Sequence, residues 1–186
     1  KWKYEVGESH KPGNTCILMA LAASLEDKVV DTADVVDTGH GSKRLYGRTY
    51  YDSHGYGKIS IARALEVSSN IGFATIIDDN YSKTPNKFID RLKSWHLNET
   101  LGLAMLGEGK PEIPAPGDKK WSRNALPSMA YGYNLSLTPL QTLTFYNAIA
   151  NDGEMVKPHF LREVREFDKI IESVDKKVIE EKICSE

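Results

Sequence analysis

The sequence predicts an α+β fold in which helices dominate and the strands form short hairpins. Apolar residues recur with helical spacing in several separate segments, and the clearest of these begin near residues 14 and 138. Between the helices lies a stretch of β-branched and aromatic residues punctuated by glycine, which is typical of hairpins. With 186 residues and 40% hydrophobic residues, the chain is long enough to bury one core, so residues 1–186 are predicted to form a single domain.

Composition and charge exclude several function classes. The 24 basic and 26 acidic residues give a net charge of -2 and form no basic stripe, which argues against a nucleic-acid partner. The five histidines lack metal-ligand spacing, so neither a metal nor another cofactor is expected. The spacing of Cys16 and Cys184 does not by itself indicate a disulfide.

No targeting or membrane segment is predicted. The chain has no apolar run near the length of about 20 residues that a membrane helix needs. Lys1-Trp2-Lys3-Tyr4 is not followed by the apolar region of a signal peptide. We therefore expect this sequence to be the interior of a longer protein.

The first helix is predicted over residues 14–27. Its apolar face is formed by Ile17, Leu18, Leu21, Ala22 and Leu25. Pro12-Gly13 interrupts the chain before this helix, and asparagine is favoured at helix N-termini. Asn14 is therefore predicted to cap the helix.

Residues 29–58 are predicted to be non-helical. Two stretches in this region, 35–38 and 48–51, have strand-like composition and are separated by several glycines. We expect these two stretches to pair as a hairpin with a loose loop. Ser60 is then expected to cap a short helix that ends near Ser68-Ser69-Asn70, where three polar residues interrupt an apolar segment.

Helical periodicity resumes at Ile71 and again after Thr84-Pro85. The second start is indicated by a capping residue type followed by proline at the first helical position. Residues 102–125 are rich in glycine, proline and lysine, and they predict a long irregular loop.

The clearest helix start in the chain is Thr138-Pro139-Leu140-Gln141. Thr138 and Gln141 have capping-box spacing, and Asn151-Asp152-Gly153 is predicted to end the helix. Residues 155–165 then alternate well enough for a strand. A turn near Asp168 would pair this strand with residues 170–174.

Three motifs carry a family resemblance. Pro12-Gly13-Asn14-Thr15-Cys16-Ile17, with the apolar run behind it, resembles the opening of a penicillin-binding protein transpeptidase domain, which reads P-G-S-T-F-K there. Ser68-Ser69-Asn70 resembles the family's S-x-N motif. Residues 130–141 resemble the family's G-Y-G-x-S-x-T-P-L-Q segment, with Asn134 in place of the usual glycine. Asparagine tolerates a left-handed backbone, so this turn is expected to survive.

The resemblance implies a class B, cell-division-type penicillin-binding protein from Bacteroides-like bacteria. Members of this family are serine D,D-transpeptidases that crosslink peptidoglycan stem peptides on the periplasmic side of the inner membrane and bind β-lactams. Their β-lactamase-like fold packs a helical subdomain on a central antiparallel sheet. This chain resembles mostly the helical subdomain with short hairpins, and much of the sheet is missing. The implied partners are a stem peptide or β-lactam, proteins of the division machinery, or a second copy of the chain.

The resemblance also assigns roles to the motif residues. In the family, the serine of the first motif attacks the substrate and the lysine takes the proton. The hydroxyl at Ser68 can relay a proton, and the amide at Asn70 can hold a peptide carbonyl and orient the lysine. The serine position is Asn14 and the lysine position is Ile17, so both reacting groups are absent.

Two further departures bear on catalysis. The family's K-T-G motif is absent, since its closest match, Lys83-Thr84-Pro85, is expected at a helix start; in the family, K-T-G falls beyond Glu186. Cys16 occupies the position of a family aromatic that points into the core, so its thiol is expected to be buried and inert. The chain is therefore predicted to be catalytically inactive.

Two interpretations stay open at this point, and whether the chain acts as an enzyme is not decided by its sequence. It is either part of a D,D-transpeptidase domain with altered motif residues, or a non-catalytic pseudoenzyme that serves as an interaction module of a wall-synthesis complex. The presence of Ser68 and Asn70 beside a lost first motif favours the second interpretation. The order of the motifs argues against a third, an unrelated α+β domain.

Overall fold

The computed structural model describes residues 4–185, in which helices contain more residues than strands do. Residues 1–3 and 186 lie outside the described part, so the single-domain assignment of residues 1–186 and the absence of a signal sequence after Lys1-Trp2-Lys3 stay predictions. The helices are α1 (Tyr4–Gly7), α2 (Ile17–Glu26), α3 (Ile61–Glu66), α4 (Asn70–Tyr81), α5 (Pro85–Ser94), α6 (Ala125–Met129) and α7 (Pro139–Ala150). No helix in the described range is long and apolar enough to cross a membrane.

The strands form four separate antiparallel ladders of two strands each. The pairs are β1 (Val35–Asp37) with β4 (Lys58–Ser60), β2 (Ser42–Leu45) with β3 (Arg48–Tyr51), β5 (Met155–Val156) with β8 (Val178–Glu180), and β6 (Glu163–Glu166) with β7 (Lys169–Ser173). Within residues 4–185 no ladder grows beyond two strands. Helices with short antiparallel hairpins are the predicted α+β architecture.

The predicted pairing of residues 35–38 with 48–51 is wrong. Tyr46 and Gly47 both have a left-handed backbone, with φ values of 47° and 82°, and they close a two-residue turn that pairs β2 with β3. The first stretch, β1, pairs instead with β4, which lies beyond that inner hairpin. The two hairpins are therefore nested.

The predicted strand over residues 155–165 is also broken. Only Met155–Val156 and Glu163–Glu166 are extended ladder strands, and Pro158 lies between them. Proline has no N–H to donate to a ladder, which explains the interruption. The second half of the prediction is confirmed, because β6 pairs with β7 across a turn at Phe167 and Asp168.

Local capping signals are confirmed at two helices. The Ser60 hydroxyl accepts a hydrogen bond from the Arg63 N–H at 3.1 Å. The capping box of α7 is complete, because Thr138 Oγ1 accepts from the Gln141 N–H at 3.1 Å and Gln141 Oε1 accepts from the Thr138 N–H at 2.8 Å. These bonds satisfy donors that an α-helix leaves unpaired at its start.

The core is built around α4. This helix packs against α2, α5 and α6, and its Ile71, Phe73 and Ile77 are fully buried. A partly buried ion pair joins three of these helices: the Asp27 carboxylate, at the end of α2, accepts hydrogen bonds from the Arg91 guanidinium and, at 2.8 Å, from the Tyr81 hydroxyl. Removing Arg91 would leave the Asp27 carboxylate, which is almost fully buried, without its ionic partner.

Gly132 lies directly against Gly13. The Gly13 N–H donates to the Gly132 carbonyl at 3.3 Å, and a Cβ added to Gly132 would be 2.1 Å from the Gly13 carbonyl oxygen. Gly132 also has a φ of 83°, a backbone that glycine adopts without steric cost. Only glycine therefore fits at position 132.

We predict that Gly132→Ala lowers the free energy of unfolding by about 3 kcal/mol or more, because the new methyl group overlaps the Gly13 backbone. Gly117→Ala is the matched control, since Gly117 has a φ of 98° but no atom within 4 Å of an added Cβ. The control should cost only the left-handed backbone strain of about 1 kcal/mol. Urea denaturation measures both, and equal losses would contradict the role of the contact.

Candidate active site

The first motif forms a tight turn that leads directly into α2. Gly13–Cys16 is a 3-10 helix, and the Ile17 N–H donates to the Asn14 carbonyl. The Thr15 hydroxyl donates to the Pro12 carbonyl at 2.8 Å. The turn therefore has a defined geometry without any contribution from a serine or lysine side chain.

Asn14 does not cap α2, which corrects the sequence-based expectation. The 3-10 turn continues into the α-helix, so Asn14 lies inside the helical path instead of at its flank. Its side chain makes no capping hydrogen bond and is exposed. An exposed carboxamide has neither the acidity nor the nucleophilicity to replace a serine hydroxyl activated by a base.

Ile17 points into the core, as its place on the apolar face of the helix predicts. Its side chain is 1% exposed and belongs to the main hydrophobic cluster. The position that holds the proton-accepting lysine in the resembling family is therefore an ordinary core position in this chain.

Cys16 is fully buried, and its Sγ atom lies 3.8 Å from the Sδ atom of Met19. Burial raises the pKa of the Cys16 thiol to about 12, although a hydrogen bond from the Gly132 backbone acts in the opposite direction. Because the thiolate is the reactive form, this thiol is unsuited to be a nucleophile at neutral pH.

The second motif forms the turn between α3 and α4. Ser68 is exposed and has a left-handed backbone with a φ of 51°. Ser69 caps α4 by accepting a hydrogen bond from the Gly72 N–H at 2.8 Å. Asn70 begins α4, and its Nδ2 atom donates to the Tyr51 carbonyl at 3.1 Å.

Asp52 supports this turn and was missed by sequence reasoning. Its Oδ2 atom accepts a hydrogen bond from the Ser69 hydroxyl at 2.5 Å, and its Oδ1 atom accepts from the Ile71 N–H at 3.0 Å. The carboxylate thus satisfies a backbone donor at the start of α4, where negative charge is favourable. Nothing in the local sequence signals a contact across 17 residues.

Only one of the two polar atoms of the Asn70 side chain has a hydrogen-bond partner among the described residues. Its Oδ1 atom is buried and has no hydrogen-bond partner among the described residues. In the resembling family this amide also orients the lysine of the first motif, and the corresponding residue here is Ile17, which has no donor.

The third motif is held to the first by backbone and side-chain hydrogen bonds. Asn134 adopts a left-handed backbone with a φ of 63°, so it replaces glycine in the turn. The Leu137 and His10 backbones exchange two hydrogen bonds, at 2.8 and 2.9 Å, which tie this segment to the residues before the first motif. Tyr146 on α7 donates to the Thr15 carbonyl at 2.9 Å.

The structure connects the motifs through backbone and helix packing. Gly132 of the third motif contacts Gly13 of the first, and α2 packs against α4, which begins at Asn70. Among the described residues, no hydrogen bond joins Asn14 to Ser68 or Asn70. Backbone contacts and helix packing therefore connect the three motif segments within the described residues.

Other matches to the family's spacings lie in the wrong structural context. Ser173 and Lys176 have the S-x-x-K spacing, which the sequence reasoning overlooked, but Ser173 ends the exposed strand β7 and Lys176 pairs with Glu154 at 2.7 Å. Thr84 directly precedes α5, so Lys83-Thr84-Pro85 is a helix start and not the edge strand that K-T-G occupies. In the range 4–185, no group of three or more His, Cys, Asp or Glu side chains is arranged to hold a metal.

Comparisons with known proteins agree on one family. A sequence profile described as penicillin binding protein transpeptidase domain matches residues 4–186. Penicillin-binding protein PbpB of Mycobacterium tuberculosis is 28% identical over 159 residues, which cover 84% of this chain and 22% of that protein. Peptidoglycan D,D-transpeptidase FtsI of Escherichia coli is 25% identical over 143 residues, which cover 77% of this chain and 23% of that protein.

A solved structure shows the same fold. The crystal structure of penicillin binding protein 3 from Mycobacterium tuberculosis, complexed with ampicillin, superposes with a TM-score of 0.80 at 25% identity. The match covers 98% of this chain and 39% of that one, while the chain spans less than a quarter of the two curated relatives. Since the family profile extends over almost every residue and the fold agrees, the chain belongs to the penicillin-binding protein transpeptidase domain family.

Proposed function

We propose that this chain is part of the transpeptidase domain of a cell-division-type penicillin-binding protein of peptidoglycan synthesis and that its own residues do not perform acyl transfer. The observation that carries the proposal is the burial of Ile17 in the core where the family's base would lie. Asn14, in the nucleophile position, supports it further. The Bacteroides-like origin stays a prediction.

The absence of a nucleophile and a base is expected to have a large effect on turnover. Acyl transfer by this family requires a hydroxyl that attacks the carbonyl and a base that accepts its proton. Removing the nucleophile of a covalent-catalysis enzyme lowers turnover by about a millionfold. The neighbouring side chains do not compensate, because the Cys16 thiol is buried and the Thr15 hydroxyl is engaged with the Pro12 carbonyl.

The second candidate function is a non-catalytic interaction module of a wall-synthesis complex. It is favoured by the second motif, in which Ser69 and Asn70 are held by scaffold contacts that do not depend on a reacting serine. We propose the periplasmic side of the inner membrane as its location, because the relatives act in peptidoglycan synthesis. Proteins of the division machinery are its proposed partners.

We predict that fluorescent penicillin does not attach covalently to this chain, since no activated hydroxyl is available to open the β-lactam ring. Labelling followed by denaturing electrophoresis and intact-mass measurement tests this directly. Penicillin binding protein 3 from Mycobacterium tuberculosis, treated in parallel, serves as the positive control. A stoichiometric mass increase equal to the penicillin, mapped to any residue of this chain, would contradict the proposal.

We predict opposite stability effects at Ser68, in the second-motif turn, and at Asp52, which supports that turn. Ser68→Gly should raise the free energy of unfolding by about 1 kcal/mol, because glycine relieves the left-handed strain and the serine side chain is exposed. Asp52→Ala should lower it by about 2 kcal/mol, because the Ser69 hydroxyl and the Ile71 N–H lose their acceptor. Thermal and urea unfolding measure both variants.

Asp34→Ala is a matched control for Asp52→Ala. Asp34 also accepts a backbone N–H, that of Asp31, at 2.7 Å, but it lies in an exposed loop. Its replacement should cost well under 1 kcal/mol. Equal losses at Asp34 and Asp52 would show that Asp52 has no special role in holding the second motif.

A further inference from the structure

A groove opens between the residues before the first motif and α7. One wall is built from Tyr4 and from residues of the segment 10–15, and the other from Leu137 and residues of α7. The backbone bridge between His10 and Leu137 ties the two walls together. The groove has a volume of about 430 Å³, which is within the usual size range of a small-molecule site.

The walls of this groove present large apolar side chains to solvent. Tyr4 is 55% exposed, Leu143 is 62% exposed and Tyr146 is 36% exposed, and all three line the groove. Single apolar residues at a surface need no explanation, but several that share one concave surface indicate a binding site. The walls therefore favour a ligand with an apolar body.

Two hydroxyl protons in the walls are already used inside the protein. The Tyr146 hydroxyl donates to the Thr15 carbonyl at 2.9 Å, and the Thr15 hydroxyl donates to the Pro12 carbonyl at 2.8 Å. These two groups therefore fix the shape of the groove and have no proton left to donate to a ligand.

The groove carries one unpaired positive charge. Of the described residues that line it, Lys11 is the one lysine, and none is an arginine, aspartate or glutamate. The Lys11 side chain is exposed, its Nζ atom lies 5.6 Å from the centroid of the Tyr133 ring, and no carboxylate of residues 4–185 pairs with it. Glu8 is not part of the lining, and its Oε2 atom lies 3.4 Å from Nε2 of His10.

This charge pattern distinguishes the groove from other cavities of the described residues. The cavity beside Trp95 is lined by Glu99, the one beside β1 by Asp34 and Asp79, and the one beside β7 by Glu172. In each of these a carboxylate would repel an anionic ligand or neutralise a neighbouring lysine. The groove at α7 combines apolar walls with a positive charge that no lining carboxylate offsets.

We propose that this groove binds a small amphiphilic anion, namely a monocarboxylate with a hydrocarbon body. The hydrocarbon lies against Tyr4, Leu143 and Tyr146, where it removes apolar surface from water. The carboxylate pairs with the ammonium group of Lys11, which supplies the complementary charge. The site uses none of Asn14, Ser68 and Asn70, so it stands independently of the proposed function.

The test is calorimetric titration of the full 186-residue chain with octanoate, octanol and octyltrimethylammonium, which share one hydrocarbon body and differ in charge. Octanoate should bind saturably at one site per chain, and up to about fivefold more tightly than octanol, as expected for an exposed ion pair. This advantage should shrink as sodium chloride is added, and the cation should bind most weakly. Absence of saturable binding, or equal affinities for octanoate and octanol at low salt, would overturn the proposal.

Two variants place the ligand in the groove. Lys11→Gln should abolish the preference for octanoate over octanol while leaving the affinity for octanol unchanged. Leu143→Asn should weaken the binding of both ligands by about tenfold, because part of the apolar wall is lost. Both side chains are exposed, so neither variant should change the melting temperature.

Lys169→Gln is the matched control for Lys11→Gln. Lys169 is also an exposed lysine, but it lies on β7 and does not line the groove. Its replacement should leave the affinities for octanoate and octanol unchanged. A preference for octanoate that persists in Lys11→Gln, or that is lost in Lys169→Gln, would overturn the assignment of the charge to Lys11 and with it the proposal.

Discussion

The close approach of Gly132 to Gly13 is the constraint on which the candidate site depends. It fixes the turn of the first motif from behind, through a backbone hydrogen bond and a contact with no space for a side chain. The 3-10 entry into α2 begins at Gly13, the residue that makes this contact. Neither the serine nor the lysine of the family is needed for it, so the turn keeps its geometry when both are replaced.

The second motif is likewise held by contacts from a distant part of the chain. The end of β3 supplies the Tyr51 carbonyl and the Asp52 carboxylate, and these two groups hold Asn70, Ser69 and the first turn of α4. Ser68 is the one member of the motif whose side chain has no hydrogen bond among the described residues. Two of its three residues, Ser69 and Asn70, therefore help to join a hairpin to a helix.

The sequence predicts contacts between residues that are close along the chain and misses contacts between distant ones. The caps at Ser60 and Thr138 are hydrogen bonds between residues three positions apart, so local spacing is sufficient to find them. The partner of β1 and the role of Asp52 depend on contacts across about 20 residues, which no local pattern encodes. The capping prediction at Asn14 was wrong because Asn14 lies inside a 3-10 turn that continues directly into α2.

The first motif contributes to stability where the family's residues contribute to catalysis. A lysine buried at position 17 must be desolvated, and this disfavours its charged form unless polar partners are supplied. Isoleucine at the same position needs no partner, and its burial stabilises the core by about 2 kcal/mol. In the second motif, the buried Oδ1 atom of Asn70 has no hydrogen-bond donor among the described residues. An unpaired buried acceptor costs about 1–3 kcal/mol, which is comparable to what the burial of Ile17 contributes.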